Sequence, residues 1–222
     1  MPSIVSAVCN SFKKEILELG HCFNPTVVTT GSSAIYSNEI TDLGTTEGVS
    51  LGMIAGGANM IGFNTVVSVG GATSVYVDGA STGSITGASV TFTGDTFMMS
   101  LITESYVNDY GPQTTNYSNL GSDEVANGNG YTSGGQALTN PTLGTSGSEA
   151  VVNFANVSWT SATFSVAGAV MYNSAARVFG TSGTNTTGGG RACSVYSFNG
   201  TQSVTSGTFT LTMPPSGLLT IS

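Results

Sequence analysis

Charge is the scarcest property of this chain. Only 7% of its 222 residues are Asp, Glu, Lys or Arg, against about 25% in an ordinary globular protein. Lys13, Lys14, Arg177 and Arg191 are the only fixed cations, set against 12 acidic residues, and the net charge is −8. Nucleic-acid binding draws on many Lys and Arg contacts to phosphate, so charge excludes a nucleic-acid partner. Cysteine occurs three times, as Cys9, Cys22 and Cys193. An odd number without CxxC spacing reads as free buried thiols in a reducing compartment, not as a disulfide framework or a zinc site. Long apolar runs are missing too. The uncharged stretch from Gly48 to Val77 is interrupted throughout by Gly, Ser, Asn and Thr, so neither a transmembrane helix nor a membrane partner is expected. Residues 1–23 hold no extended apolar segment, and Lys13 and Lys14 follow the apolar residues, so no signal peptide is expected.

Catalytic groups are equally sparse. His21 is the only histidine, and it directly follows a helix stop, where a cation would complement the helix dipole. Glu104, Asp109, Asp123 and Glu124 fall in one loop-rich region. Two facing carboxyls could serve glycoside hydrolysis, but sugar sites usually carry aromatic platforms, and the one tryptophan, Trp159, lies between strands. The same acids with Asn127 and Asn129 could hold calcium, but the EF-hand spacing is absent. The sequence therefore predicts no catalytic residue, no metal ligand and no cofactor.

What is abundant is Gly, 31 residues, together with Ser, Thr and Asn. Mean hydropathy is +0.19 and 39% of residues are hydrophobic, which is the composition of a folded chain, since disorder goes with low hydrophobicity and high net charge. A surface made of hydroxyls, amides and backbone suits a subunit that packs against neighbours.

One helix is predicted, at the start. Ser3 supplies an N-cap, and Ile4, Val8, Phe12, Ile16 and Leu19 share a face at helical spacing. Gly20 ends it, and Asn24-Pro25 closes the segment. So short an amphipathic helix needs something to pack on; Val8, Phe12, Ile16 and Leu19 are the predicted partner-binding residues. After Pro25 the period changes from helical to alternating. Strands are expected at 26–30, 66–69, 74–77, 89–93, 96–103, 150–154, 162–172, 191–198 and 208–213. Residues 48–63 have no clear period and read as a segment buried between layers or subunits, and 180–190 read as a flexible loop. Asn127-Gly128 and Asn129-Gly130 are tight-turn signals. The fold class is all-β, a β-sandwich or jelly-roll-like domain with one short N-terminal amphipathic helix. The expected organisation is a helix over 1–23, an inserted β element over 24–94, and a β-sandwich over 95–222 that forms one compact unit with the insertion.

Several separated blocks carry a resemblance. They are VCNSFKKEILELGHCF at 8–23, DTFMMSLITESY at 95–106, DEVANGNGYTSGGQAL at 123–138, VNFANVSWTSATFSVAGAVMYN at 152–173 and SGTFTLTMPPSGLLTIS at 206–222. They fall within 8–23 and 95–222, two regions that together make up about two thirds of the chain, and in combination they resemble a family of small virion structural proteins encoded by tailed bacteriophages. In that family the helix leads almost directly to the DTF strand, which a lysine usually follows; here about 70 residues intervene and Met98 stands in the lysine's place. The resemblance implies a non-enzymatic virion component assembled in the host cytoplasm. Its partners would be the major capsid protein or other virion proteins, and it would form a homo-oligomer, trimer or dimer. Three roles stay open: a capsid decoration or cement protein, a tail or neck component such as a fibre or adaptor subunit, and a carbohydrate-binding adsorption module.

Overall fold

The structure, a computed structural model, describes residues 1–17, 20–60, 64–174 and 189–221. Leu19, residues 61–63 of the aperiodic segment and residues 180–188 of the expected loop lie outside them. In chain order the elements are β1 (Ala7–Val8), α1 (Asn10–Leu17), β2 (Val27–Ser33), β3 (Glu39–Ile40), β4 (Ile54–Gly57), β5 (Asn64–Val69), β6 (Val75–Val77), β7 (Ile85–Thr93), β8 (Phe97–Thr103), β9 (Gln136–Ala137), β10 (Thr142–Ser146), β11 (Glu149–Asn153), β12 (Val157–Asn173), β13 (Arg191–Leu211) and β14 (Leu219–Ile221). The protein is all-β, with antiparallel pairing, a nearly closed barrel-like sheet and one short helix near the N-terminus.

The chain divides into two compact units, where the sequence leads one to expect a single one. Residues 1–21 and 96–222 form the first, and residues 22–95 the second. The first holds a five-stranded sheet in the order β1-β13-β12-β8-β9 and a three-stranded sheet β10-β11-β14. β12 and β13 are 17 and 21 residues long and pair from Val157↔Leu211 to Asn173↔Arg191. Register shifts at four places, the first between Trp159 and Ala162, interrupt the ladder; such bulges bend a strand and raise its twist. The core behind this sheet is built from Phe97, Met99, Leu101, Trp159, Val166 and Met171, all buried.

The second unit is one six-stranded sheet, β2-β7-β4-β5-β6-β3. β7 shows why it forms. Val90 and Phe92 are buried while Ser89 is exposed, the alternation of a strand with one face on a core. The aperiodic residues 48–60 contribute Met53 and Ala55, both buried, and β4 lies between β7 and β5. A four-residue strand that ends in two glycines carries too few side chains to set a period, which hides it from sequence reading. The two ends of this unit meet: Cys22 N donates to Asp95 Oδ2 (2.9 Å) and Asp95 N donates to Cys22 O (2.8 Å).

Phe92 is wholly buried among Met53, Ala55, Val66 and Val90. Phe92→Ala is expected to lower stability by about 3–5 kcal/mol, read as a drop in urea midpoint, whereas Ser89→Ala on the opposite face should stay within about 0.5 kcal/mol.

Candidate functional site

The N-terminal segment departs from the helix expected of it. Residues 3–5 are extended: Tyr110 N donates to Ser3 O (2.9 Å) and Val5 N to Tyr110 O (2.8 Å). Ser3 caps no helix; its N–H and Oγ both donate to Asp109 Oδ1, at 2.7 and 2.9 Å. Ala7 and Val8 form β1 against β13, and the helix begins only at Asn10. Ile4, Val5 and Val8 are β-branched and have strand partners within reach, and pairing wins over helical propensity there.

This splits the predicted partner-binding face. Phe12 is fully buried, with its ring centroid 4.7 Å from that of His21, and belongs to the core. Val8 and Ile16 are half-buried and line a groove of about 450 Å³ with Ala7, Lys13, Leu17, Pro112 and Thr220. Leu17, which sequence reading left out, is 85% exposed at the groove edge. Leu19 falls outside the described residues.

Beneath α1 lies an ionic cluster that no local pattern announces. Asn173 Nδ2, which has only hydrogens to give, donates to His21 Nδ1 (2.9 Å), so Nε2 carries the ring hydrogen and donates to Glu15 Oε2 (2.7 Å). Arg191 Nη1 lies 3.1 Å from Glu15 Oε1. Burial pushes the Glu15 carboxyl up, but the hydrogen bond from His21 and the charge of Arg191 outweigh it and hold it below its ordinary value of 4.5. The single histidine is thus a buried strut between the helix and the β12–β13 pair.

The four acids of the loop region are also separated by their partners. Asp123 Oδ2 accepts from Val107 N (3.1 Å), Asn108 N (3.0 Å), Asn108 Nδ2 (2.9 Å) and Tyr110 OH (2.8 Å). Burial raises its pKa, and these four donors more than reverse that, so it sits below 3.8. Glu124 points into a different cage. Its Oε1 accepts from Ser100 Oγ (2.9 Å), Tyr131 OH (2.7 Å) and Gly134 N (2.6 Å), and its Oε2 from Tyr117 OH (2.5 Å). Two of these donors, Tyr131 and Gly134, lie with Glu124 in the block EVxxxxGYTxGG, and Ser100 and Tyr117 come from outside it. Within the block Gly128 and Tyr131 exchange both backbone hydrogen bonds around Asn129 (φ 49°) and Gly130 (φ 82°), a two-residue hairpin turn. A Cβ on Gly130 would stand 2.6 Å from Thr160 O, so only glycine fits. Asp109 holds Ser3, and Glu104 is exposed beside a pocket of about 210 Å³ lined also by Thr103, Asn129, Thr163, Phe164 and Ser165.

Residues 79–83 spell a GxSxG pattern, the signature of a nucleophile turn between strand and helix. Here it lies between β6 and β7, and Ser81 is buried, with Oγ donating to Ala34 O (2.5 Å). Its hydroxyl is committed to the turn. The three cysteines are buried and none is joined in a disulfide. Among the described residues no three His, Cys, Asp or Glu side chains gather where a metal ion could be held, and no helix is long and apolar enough to cross a membrane.

Two outcomes follow. Glu124→Gln places an amide N–H₂ among donors and is expected to cost about 2–4 kcal/mol, measurable by urea titration. The lowered Glu15 and Asp123 groups contribute stability that is complete above their ordinary values and lost as pH falls through the lowered ones. The thermal midpoint should hold down to about pH 5 and fall below it; Glu15→Gln should start lower at neutral pH and decline less steeply in acid.

No known protein family matches the chain, and neither does any curated protein or solved structure.

Proposed function

We propose that this protein is a structural component of a tailed-phage virion, and specifically a decoration or cement protein that strengthens the head shell through protein–protein contacts. The observation that carries this reading is where the phage-like blocks fall. The helix, the DTF strand, the Glu124 loop, the WTSAT strand and the terminal strand all lie in the first unit, and each performs a structural task there. Residues 22–95, which contain the stretch 24–94 that interrupts the resemblance, fold as a second unit with its own core. The candidate catalytic groups support a non-enzymatic role, because Asp123, Glu124 and His21 are each engaged by neighbours that fix the fold.

The mechanism is association. The groove under Val8, Ile16 and Leu17 offers apolar surface beside Lys13 to the major capsid protein or to a second copy. With so few charges, binding rests on close packing and hydrogen bonds, so attachment should survive high salt. A second reading, a carbohydrate-binding adsorption module, is favoured by the small pocket in which the half-buried ring of Phe164 meets Glu104, Asn129 and three hydroxyl side chains. The third, a tail or neck component, differs from the first in copy number: tens of copies or fewer, against hundreds.

Virions with and without the protein should differ in the temperature of heat-induced DNA release, and mass spectrometry should count hundreds of copies per particle. Leu17→Asp, at an exposed position, should leave stability within about 0.5 kcal/mol and strongly reduce incorporation. Equal release temperatures with a difference in host adsorption would replace the cement reading with the adsorption one. Unchanged incorporation of the Leu17 variant would move the docking face elsewhere.

A further inference from the structure

We propose that Cys9 and Cys193 form a cross-strand pair that closes to a disulfide when the protein meets an oxidising thiol–disulfide pool, stapling the N-terminal segment to β13. The register on the page leads there directly. β1 runs antiparallel to β13 with Ala7 opposite Val195 and Val8 opposite Ser194. One step further along the ladder puts Cys9 opposite Cys193, and the ladder extends that far, because Cys9 N donates to Cys193 O at 2.9 Å. Directly opposed residues in an antiparallel pair send their side chains to the same face, with Cα atoms about 4.5–5.5 Å apart. A disulfide spans Cα separations of about 4.4–6.8 Å. Both cysteines have no exposed surface. Cys22 is set apart: it belongs to the other unit and its Sγ lies 3.9 Å from Ser50 Oγ.

The chemistry needs an oxidant, and oxidised glutathione supplies it. The thiolate of Cys9 attacks one glutathione sulfur, forming a mixed disulfide and expelling one glutathione thiolate, which takes up the proton that Cys9 lost. Cys193, deprotonated in turn, attacks the Cys9 sulfur and expels the second glutathione. The cysteine pair loses two electrons and two protons, and glutathione disulfide gains them as two thiols. Burial first, and the nearby charge of Glu15 second, push the Cys9 thiol up to about 12. Thiolate is therefore scarce at neutral pH and the exchange is slow, requiring the short β1–α1 segment to open. A reducing cytoplasm keeps the pair as thiols; an extracellular setting closes it.

The test uses the whole protein, incubated for hours with oxidised glutathione under native conditions, then denatured, alkylated and mapped by mass spectrometry. The expected result is the loss of two hydrogens, a peptide cross-link joining Cys9 to Cys193, and alkylation of Cys22 alone. The thermal midpoint should rise by roughly 5–10 °C and return on adding dithiothreitol. Cys22→Ala should leave both changes intact, and Cys193→Ala should abolish both. If Cys193→Ala does not fold, the peptide map of the unaltered protein decides. Three alkylated thiols after incubation, glutathione adducts alone, or a cross-link that includes Cys22 would each overturn the proposal.

Discussion

The first unit depends on one backbone pairing, the ladder between β12 and β13. β8 adds to its β12 side from Val166↔Thr103 to Asn173↔Phe97, and β1 adds to its β13 side. Trp159, Ala169, Val170 and Met171 on it have no exposed surface. At one end Asn173 and Arg191, paired to each other across the ladder, together hold the Glu15–His21 couple of the helix. A side-chain cluster so placed has its geometry set by strand register. A slip of one residue would send every side chain on β13 to the other face and dissolve both the core and the ionic cluster.

Three of the few charged side chains hold the fold from within. Glu15, Asp123 and Glu124 each accept several hydrogen bonds from parts of the chain distant in sequence, and they tie loops to strands. Asp123 and Glu124, each accepting four hydrogen bonds, organise much of the irregular backbone between residues 104 and 135. On the surface, hydroxyls pair with one another across strands, as Ser158 does with Thr210 and Ser165 with Ser203, both at 2.8 Å.

The sequence made the fold class legible because most strands in it alternate. β7, β8, β11 and the body of β12 appear close to where their apolar periods place them. β13 read as two strands because its middle, Ser197 to Gly207, is polar and glycine-containing; pairing with β12 carries it through. β3, β9 and β14 are two or three residues long and owe their form to a neighbour, so no local signal marks them. At the candidate site, Val8, Phe12 and Ile16 were found but assigned to one helical face. Val8 is held by β13, a partner almost two hundred positions away, and periodicity has no access to that. The glutamate cage was visible as a motif but not as a mechanism, since its donors come from residues 100, 117, 131 and 134.

The closure of Cys22 on Asp95 bears on how such a protein could arise. An inserted segment whose first and last residues are hydrogen-bonded neighbours asks almost nothing of the site that receives it: the flanking chain is spread by no more than the width of a strand pair. Residues 22–95 therefore have the form of a cassette. A unit closed on its own ends in this way can accept changes in its loops while the spacing of its two chain ends stays fixed.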